Sequence, residues 1–183
     1  MTNLTTIIQT TNALPKWLQA DLRSDHAGEL GAVMIYRGIL AVSKDTELRH
    51  FAAEHLATEE SHLRTIEGLL PAAQRTRLQP AWRLAGWLTG ALPSLFGPQA
   101  VYATIEAVET FVDQHYQEQI ERLQGLDDHK NLRDTLRACQ EDEVAHRDEA
   151  AHLFHGQRTL LIRGWTALVA IGSSWAVGLA KKI

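Results

Sequence analysis

Two short patterns in the sequence place donor groups at helical spacing: Glu59-Glu60-Ser61-His62 and Glu143-Val144-Ala145-His146. Residues three apart on a helix project from one side. Each pattern therefore aims a carboxylate and an imidazole the same way. Around Glu143 and His146 that side is otherwise apolar, with Leu132, Leu136, Cys139, Ala150 and Leu153 near it. Burying such groups is costly unless they are paired, and a metal ion satisfies both at once. A lone glutamate on an earlier helix precedes each pair, Glu29 the first and Glu109 the second. The order Glu, Glu-x-x-His, Glu, Glu-x-x-His is the donor set of a carboxylate-bridged two-metal site in a four-helix bundle. The expected ligands are Glu29, Glu59, His62, Glu109, Glu143 and His146.

Two further Glu-x-x-His pairs, Glu47/His50 and Glu149/His152, do not fit this frame. Glu47 follows the Ser43–Asp45 break directly, where an acidic residue at a helix start is expected on a solvated end. Glu149 lies six residues past Glu143, which rotates it about a third of a turn off the ligand side. The retained pairs stand 30 and 34 residues after their lone glutamates, the out-and-back distance of two antiparallel helices. Four carboxylates also balance two divalent ions, and an unbalanced buried charge costs several kcal/mol. Oxygen and imidazole donors without thiolate suit iron or manganese better than structural zinc. Glu106 is an alternative to Glu109. His26 and His55, each one turn before a glutamate ligand, read as core histidines or as hydrogen-bond partners of the ligands.

Positioning six donors requires four helices, and the periodicity supplies them at about 15–42, 45–70, 99–124 and 129–155. Residues 1–14 read as a loose leader. Gly28 and Gly31 flank Glu29, and glycine costs about 1 kcal/mol in a helix interior. A close neighbour along that side is the expected compensation. Residues 78–98 and 159–180 are apolar and tryptophan-rich. The first holds three prolines, too broken to span a bilayer. In the second, the run 164–180 stops just short of the ~20 residues a span needs. Both read as interfacial segments, with packing on the bundle or on a second subunit as the plain alternative. The expected fold is thus an all-α four-helix bundle with additional membrane-facing apolar helical segments, one domain over residues 1–183.

Composition narrows the function classes. The chain of 183 residues is 45% hydrophobic and 22% charged, with a formal net charge of −4. It carries no long basic stripe, which argues against nucleic acid as a partner. The single cysteine, Cys139, permits no intramolecular disulfide. The first residues have neither a basic start nor a long apolar run, so no secretory signal is expected.

At these motifs the chain resembles the demethoxyubiquinone hydroxylase family, the di-iron monooxygenases of ubiquinone biosynthesis. The matching pieces begin with Asp25-His26-Ala27-Gly28-Glu29-Leu30-Gly31-Ala32, Ile35-Tyr36 and Glu59-x-x-His62-Leu63. They continue with Ala107-Val108-Glu109, His115-Tyr116-x-x-Gln119-Ile120 and Asp142-Glu143-x-x-His146-x-Asp148. The match spans roughly residues 24–154. It implies a ferritin-like fold, the same six ligands, two iron ions, dioxygen as co-substrate and NADH as the electron source. It also implies hydroxylation of a prenylated quinol ring at a membrane surface, on the cytoplasmic face of the cell membrane. A second copy or other quinone-biosynthesis proteins are further expected partners. Tyr116 returns to the side of Glu109 two turns on, so Tyr116 and His115 are the candidate catalytic residues beside the ring; a core aromatic is the plain reading of Tyr116. Two competing functions are iron oxidation or peroxide detoxification by a ferritin-like protein, and a non-enzymatic membrane factor for quinone biosynthesis. The Trp-rich apolar stretches count against the first of these.

Overall fold

The computed structural model describes residues 14–183. The expected leader therefore lies outside the described residues up to residue 13. Among the described residues there are six α-helices and no strand: α1 Lys16–Val42, α2 Thr46–Leu69, α3 Gln79–Ser94, α4 Pro98–Arg122, α5 Lys130–Leu153 and α6 Leu160–Ala180. The all-α helical-bundle class expected from the sequence is the one observed. The four ligand-bearing helices match their sequence bounds to within a residue or two.

The chain divides into two compact units, Met1–Leu92 with Trp175–Ile183, and Pro93–Ser174. The first is built on the hairpin of α1 and α2, which pack along each other. Ser43 ends α1, its backbone N–H donating to the Ile39 carbonyl, and the Asp45 side chain accepts from the Leu48 N–H at 2.8 Å to start α2. Capping of this kind is worth about 1 kcal/mol, and it fixes the height of Glu59 opposite Glu29. Leu18, Leu22, Ile39, Leu48 and Ile66 are fully buried in this unit, each worth about 1.5–3 kcal/mol relative to exposure.

The expected close neighbour along α1 is present at the Gly31 backbone and further along the helix. A Cβ added at Gly86 would collide with the Gly31 backbone, one at Gly90 with the Ile35 backbone, and one at Gly38 with the Trp87 carbonyl. The two helix backbones thus lie in direct contact, which only glycine permits. Gly28 meets nothing within 4 Å. Of residues 78–98, expected to be a helical segment too broken to span a bilayer, Gln79–Ser94 form the regular 16-residue helix α3. Its prolines explain this: Pro80 is the second residue, where its missing N–H is not needed, and Pro93 is next to last. Its outer side leaves Leu84, Leu88 and Leu92 exposed at four-residue spacing.

The second unit is built on the hairpin of α4 and α5. Gly97, with φ 95°, turns the chain into Pro98 at the first position of α4; an L side chain would be strained there. The start of α6 is held to α4 by the Trp165 Nε1–H donating to Thr104 Oγ1 at 2.9 Å. α6 begins at Leu160 and takes Arg163 into its first turn, so it has 21 residues rather than the 17 counted from sequence. By length and composition it can cross a membrane, with a mean hydropathy of 1.4 and little of it buried.

Candidate metal centre

In the first unit α1 presents Glu29 and α2 presents Glu59 and His62, all buried. Each offers a donor atom within 4.8 Å of the other two. His62 Nδ1 stands 3.8 Å from Glu29 Oε2 and 3.9 Å from Glu59 Oε2. These separations exceed a hydrogen bond. Donors about 2.1 Å from one ion stand roughly 3 to 4 Å apart, so the triad has the size of a metal site.

In the second unit α4 presents Glu109 and α5 presents Glu143 and His146, all buried and with donor atoms within 4.8 Å of one another. His146 Nδ1 lies 3.6 Å from Glu143 Oε2. Burial of the ring works against its charged form. The adjacent Glu143 carboxylate and the negative charges of Glu109 and Asp142 outweigh that and hold the His146 pKa above its ordinary value. A site that pulls a proton onto a buried imidazole will pull a metal cation as well. The donor set of both triads, hard oxygen and imidazole, fits iron.

All six expected ligands fall in these two triads. The rejected pairs do not: Glu47, His50, Glu149 and His152 are exposed. Glu106 is drawn to Arg158, whose Nη2 contacts its Oε1 and Oε2 at 2.7 and 2.5 Å, and so turns away from Glu109. His26 also stands apart, with Nε2 3.5 Å from Glu67 Oε1. Burial, and then the nearby Arg75 charge, lowers its pKa below 6.5, against the hydrogen bond and negative charge of Glu67. Tyr116 is buried, and His115 is half-buried with Nε2 2.9 Å from Gln119 Nε2. The His115 ring also lies parallel to Phe111, with centroids 6.1 Å apart and planes 6° apart.

Three contacts near the triads escape a reading of ligand motifs. Arg147, beside His146, reaches Asp113 Oδ2 at 2.6 Å, and the Gln140 amide donates to Asp113 Oδ1 at 2.8 Å. Asp113 is one turn past Glu109, so the bracket joins α4 to α5 beside the ligands. The sequence signal is an acidic residue one turn past Glu109 and a basic residue next to His146. In the first unit the Tyr36 hydroxyl hydrogen-bonds His55 Nδ1 at 3.2 Å.

Helical hairpins that bury matched carboxylate–imidazole triads define a class of all-α proteins able to hold metal in their interior. A family model described as Ubiquinone biosynthesis protein COQ7 matches residues 16–180, and the chain belongs to this family. The chain is 32% identical over 166 residues to the NADPH-dependent 3-demethoxyubiquinone 3-hydroxylase, mitochondrial, of Dictyostelium discoideum, covering 88% of this chain and 76% of that protein. It is 41% identical over 130 residues to the 3-demethoxyubiquinol 3-hydroxylase of Rhodospirillum rubrum, covering 69% of this chain and 60% of that protein. A third relative, the NADPH-dependent 3-demethoxyubiquinone 3-hydroxylase, mitochondrial, of Caenorhabditis elegans, is 30% identical over 166 residues, with 88% of each chain covered.

Proposed function

We propose that the two triads together hold two iron ions, and that the protein uses them with dioxygen to hydroxylate the ring of a prenylated demethoxy-quinol. It is a demethoxyubiquinone hydroxylase-like enzyme of ubiquinone biosynthesis. The observation that carries the reading is the pair of buried triads, Glu29/Glu59/His62 and Glu109/Glu143/His146, in a chain of this family. Iron, when bound, would react with dioxygen and pass on the electrons that ring hydroxylation requires.

The chain's own residues do the rest. Six donors on four helices hold the ions, and the apolar residues packed around them keep water from the chemistry. The buried hydroxyl of Tyr116 and the His115 imidazole meet the oxygens of the quinol ring and pass protons to and from them. Gln119 and the parallel Phe111 ring keep the imidazole in one orientation. A reduced nicotinamide dinucleotide is the electron source; NADH is the sequence expectation, and the names of two relatives specify NADPH.

A prenylated quinol resides in a bilayer, so the protein meets a membrane surface, on the cytoplasmic face in our reading. Exposed Leu84, Leu88 and Leu92 on α3, and exposed Leu161, Leu168, Ile171 and Trp175 on α6, support such contact. Oxygen uptake by iron-loaded protein tests the function. It must depend on added quinol, and uptake that ignores quinol favours the detoxifying alternative.

A further inference from the structure

The two hairpins share a register that extends beyond the donors. Tyr36 follows Glu29 by seven residues, and Tyr116 follows Glu109 by seven. His55 precedes His62 by seven, and Cys139 precedes His146 by seven. Seven residues are two helical turns, so each lies on the ligand side of its own helix. The halves differ at one of these places, histidine in the first and cysteine in the second.

In the first unit the difference has a visible consequence. Tyr36 is 0% exposed and His55 4% exposed, and the phenol hydroxyl meets His55 Nδ1 at 3.2 Å. Phe51 packs on the imidazole with ring centroids 4.0 Å apart. Water is excluded, so a proton leaving the phenol has the imidazole to receive it. A phenol that loses an electron becomes strongly acidic. Its oxidation is therefore easy only where a base already accepts its hydrogen bond. Imidazole is such a base near neutral pH, whereas a thiol at the matching place is a weak acceptor.

We propose that Tyr36 and His55 form a proton-coupled electron-donor pair that discharges the oxidised metal centre when no quinol is bound. The inference rests on the iron reading given above. Tyr36 gives one electron to iron that dioxygen has oxidised, and the iron is reduced by one. The phenol O–H bond breaks and an Nδ1–H bond forms on His55. A neutral phenoxyl radical and an imidazolium remain, the latter one turn from the Glu59 carboxylate. When an electron returns, the proton goes back to the phenol. The oxidising equivalent thus waits on Tyr36 instead of attacking the ligands.

The test mixes reduced, iron-loaded protein with dioxygen in the absence of quinol and reads the frozen sample by electron paramagnetic resonance. Iron is measured on the same sample. The wild type shows a tyrosyl radical, and Tyr36→Phe loses it at full iron content. In His55→Gln, where the amide can accept the hydrogen bond but cannot hold the proton, the radical forms about a hundredfold more slowly. Overturning results are a full-iron wild type without the radical, a radical surviving in Tyr36→Phe, or an unchanged rate in His55→Gln. Absence of iron from the wild type would instead fault the metal reading. A flash-driven soluble one-electron oxidant then replaces iron and dioxygen, and a radical that persists in Tyr36→Phe overturns the pair.

Discussion

Arg147 Nη1 lies 2.6 Å from Asp113 Oδ2, a contact that ties α5 to α4 one residue from His146 and one turn from Glu109. Both side chains are about a quarter exposed, so the pair itself adds only about 0.2–1 kcal/mol to stability. Its larger effect is to set the register of the ligand helices. Asp113→Asn is expected to leave the thermal midpoint within a few degrees but to weaken retention of iron by the second triad. Titration with a competing chelator checks this, and retention equal to wild type would remove the bracket from the account.

The six ligands separate from their look-alikes by substitution. Glu143→Ala should lose most of the bound iron, since it removes a buried carboxylate donor from the second triad. Glu149→Ala, an exposed residue about one and two-thirds turns on, should lose none. Elemental analysis of both purified variants decides. Full iron in Glu143→Ala would defeat the ligand set.

The same comparison shows why the ligands were legible and other features were not. Glu59/His62 and Glu143/His146 declare themselves through a three-residue spacing that any helix preserves, and their partners through hairpin length. The unbroken length of α3 is hard to read past its prolines, because the harm of Pro80 and Pro93 depends on where a helix starts and stops. The apolar run 164–180 stops at Arg163, whose charge interrupts an apolar count but not a helix, so α6 continues back to Leu160. Tyr36 and His55 are 19 residues apart, and only the packing of α1 on α2 brings them together.

Glycine substitutions test the contact between α1 and α3. Gly90→Ala drives a methyl group into the Ile35 backbone and should destabilise by several kcal/mol, in the range of overpacked cores. Gly28→Ala meets open space and should stabilise by about 0.5–1 kcal/mol through helix propensity. Chemical denaturation of the two variants reads the opposite signs. A Gly90→Ala protein as stable as wild type would mean that the helices do not approach so closely.

His26 predicts a dependence on pH. Burial, aided by the Arg75 charge, holds its folded pKa below 6.5 against the pull of Glu67. Well above 6.5 neither the folded nor the unfolded chain protonates this ring, and it contributes no pH dependence. As the pH falls through 6.5 the unfolded ring takes a proton that the folded ring refuses. Stability then declines, by at most about 1.4 kcal/mol per pH unit, until the folded pKa is reached. His26→Gln should flatten this part of the stability profile between pH 7.5 and 5.5. Parallel profiles for wild type and variant would contradict it.

Isotope transfer tests the hydroxylase reading most directly. Purified, iron-loaded protein is given a reduced nicotinamide dinucleotide, a short-tailed demethoxy-quinone and labelled dioxygen, and the product is weighed by mass spectrometry. One labelled oxygen atom is expected in each hydroxylated ring. Tyr116→Phe should slow its appearance at unchanged iron content, and Glu109→Ala should abolish label and iron together. Oxygen consumed with only peroxide or water formed, and no label in the ring, would contradict the account.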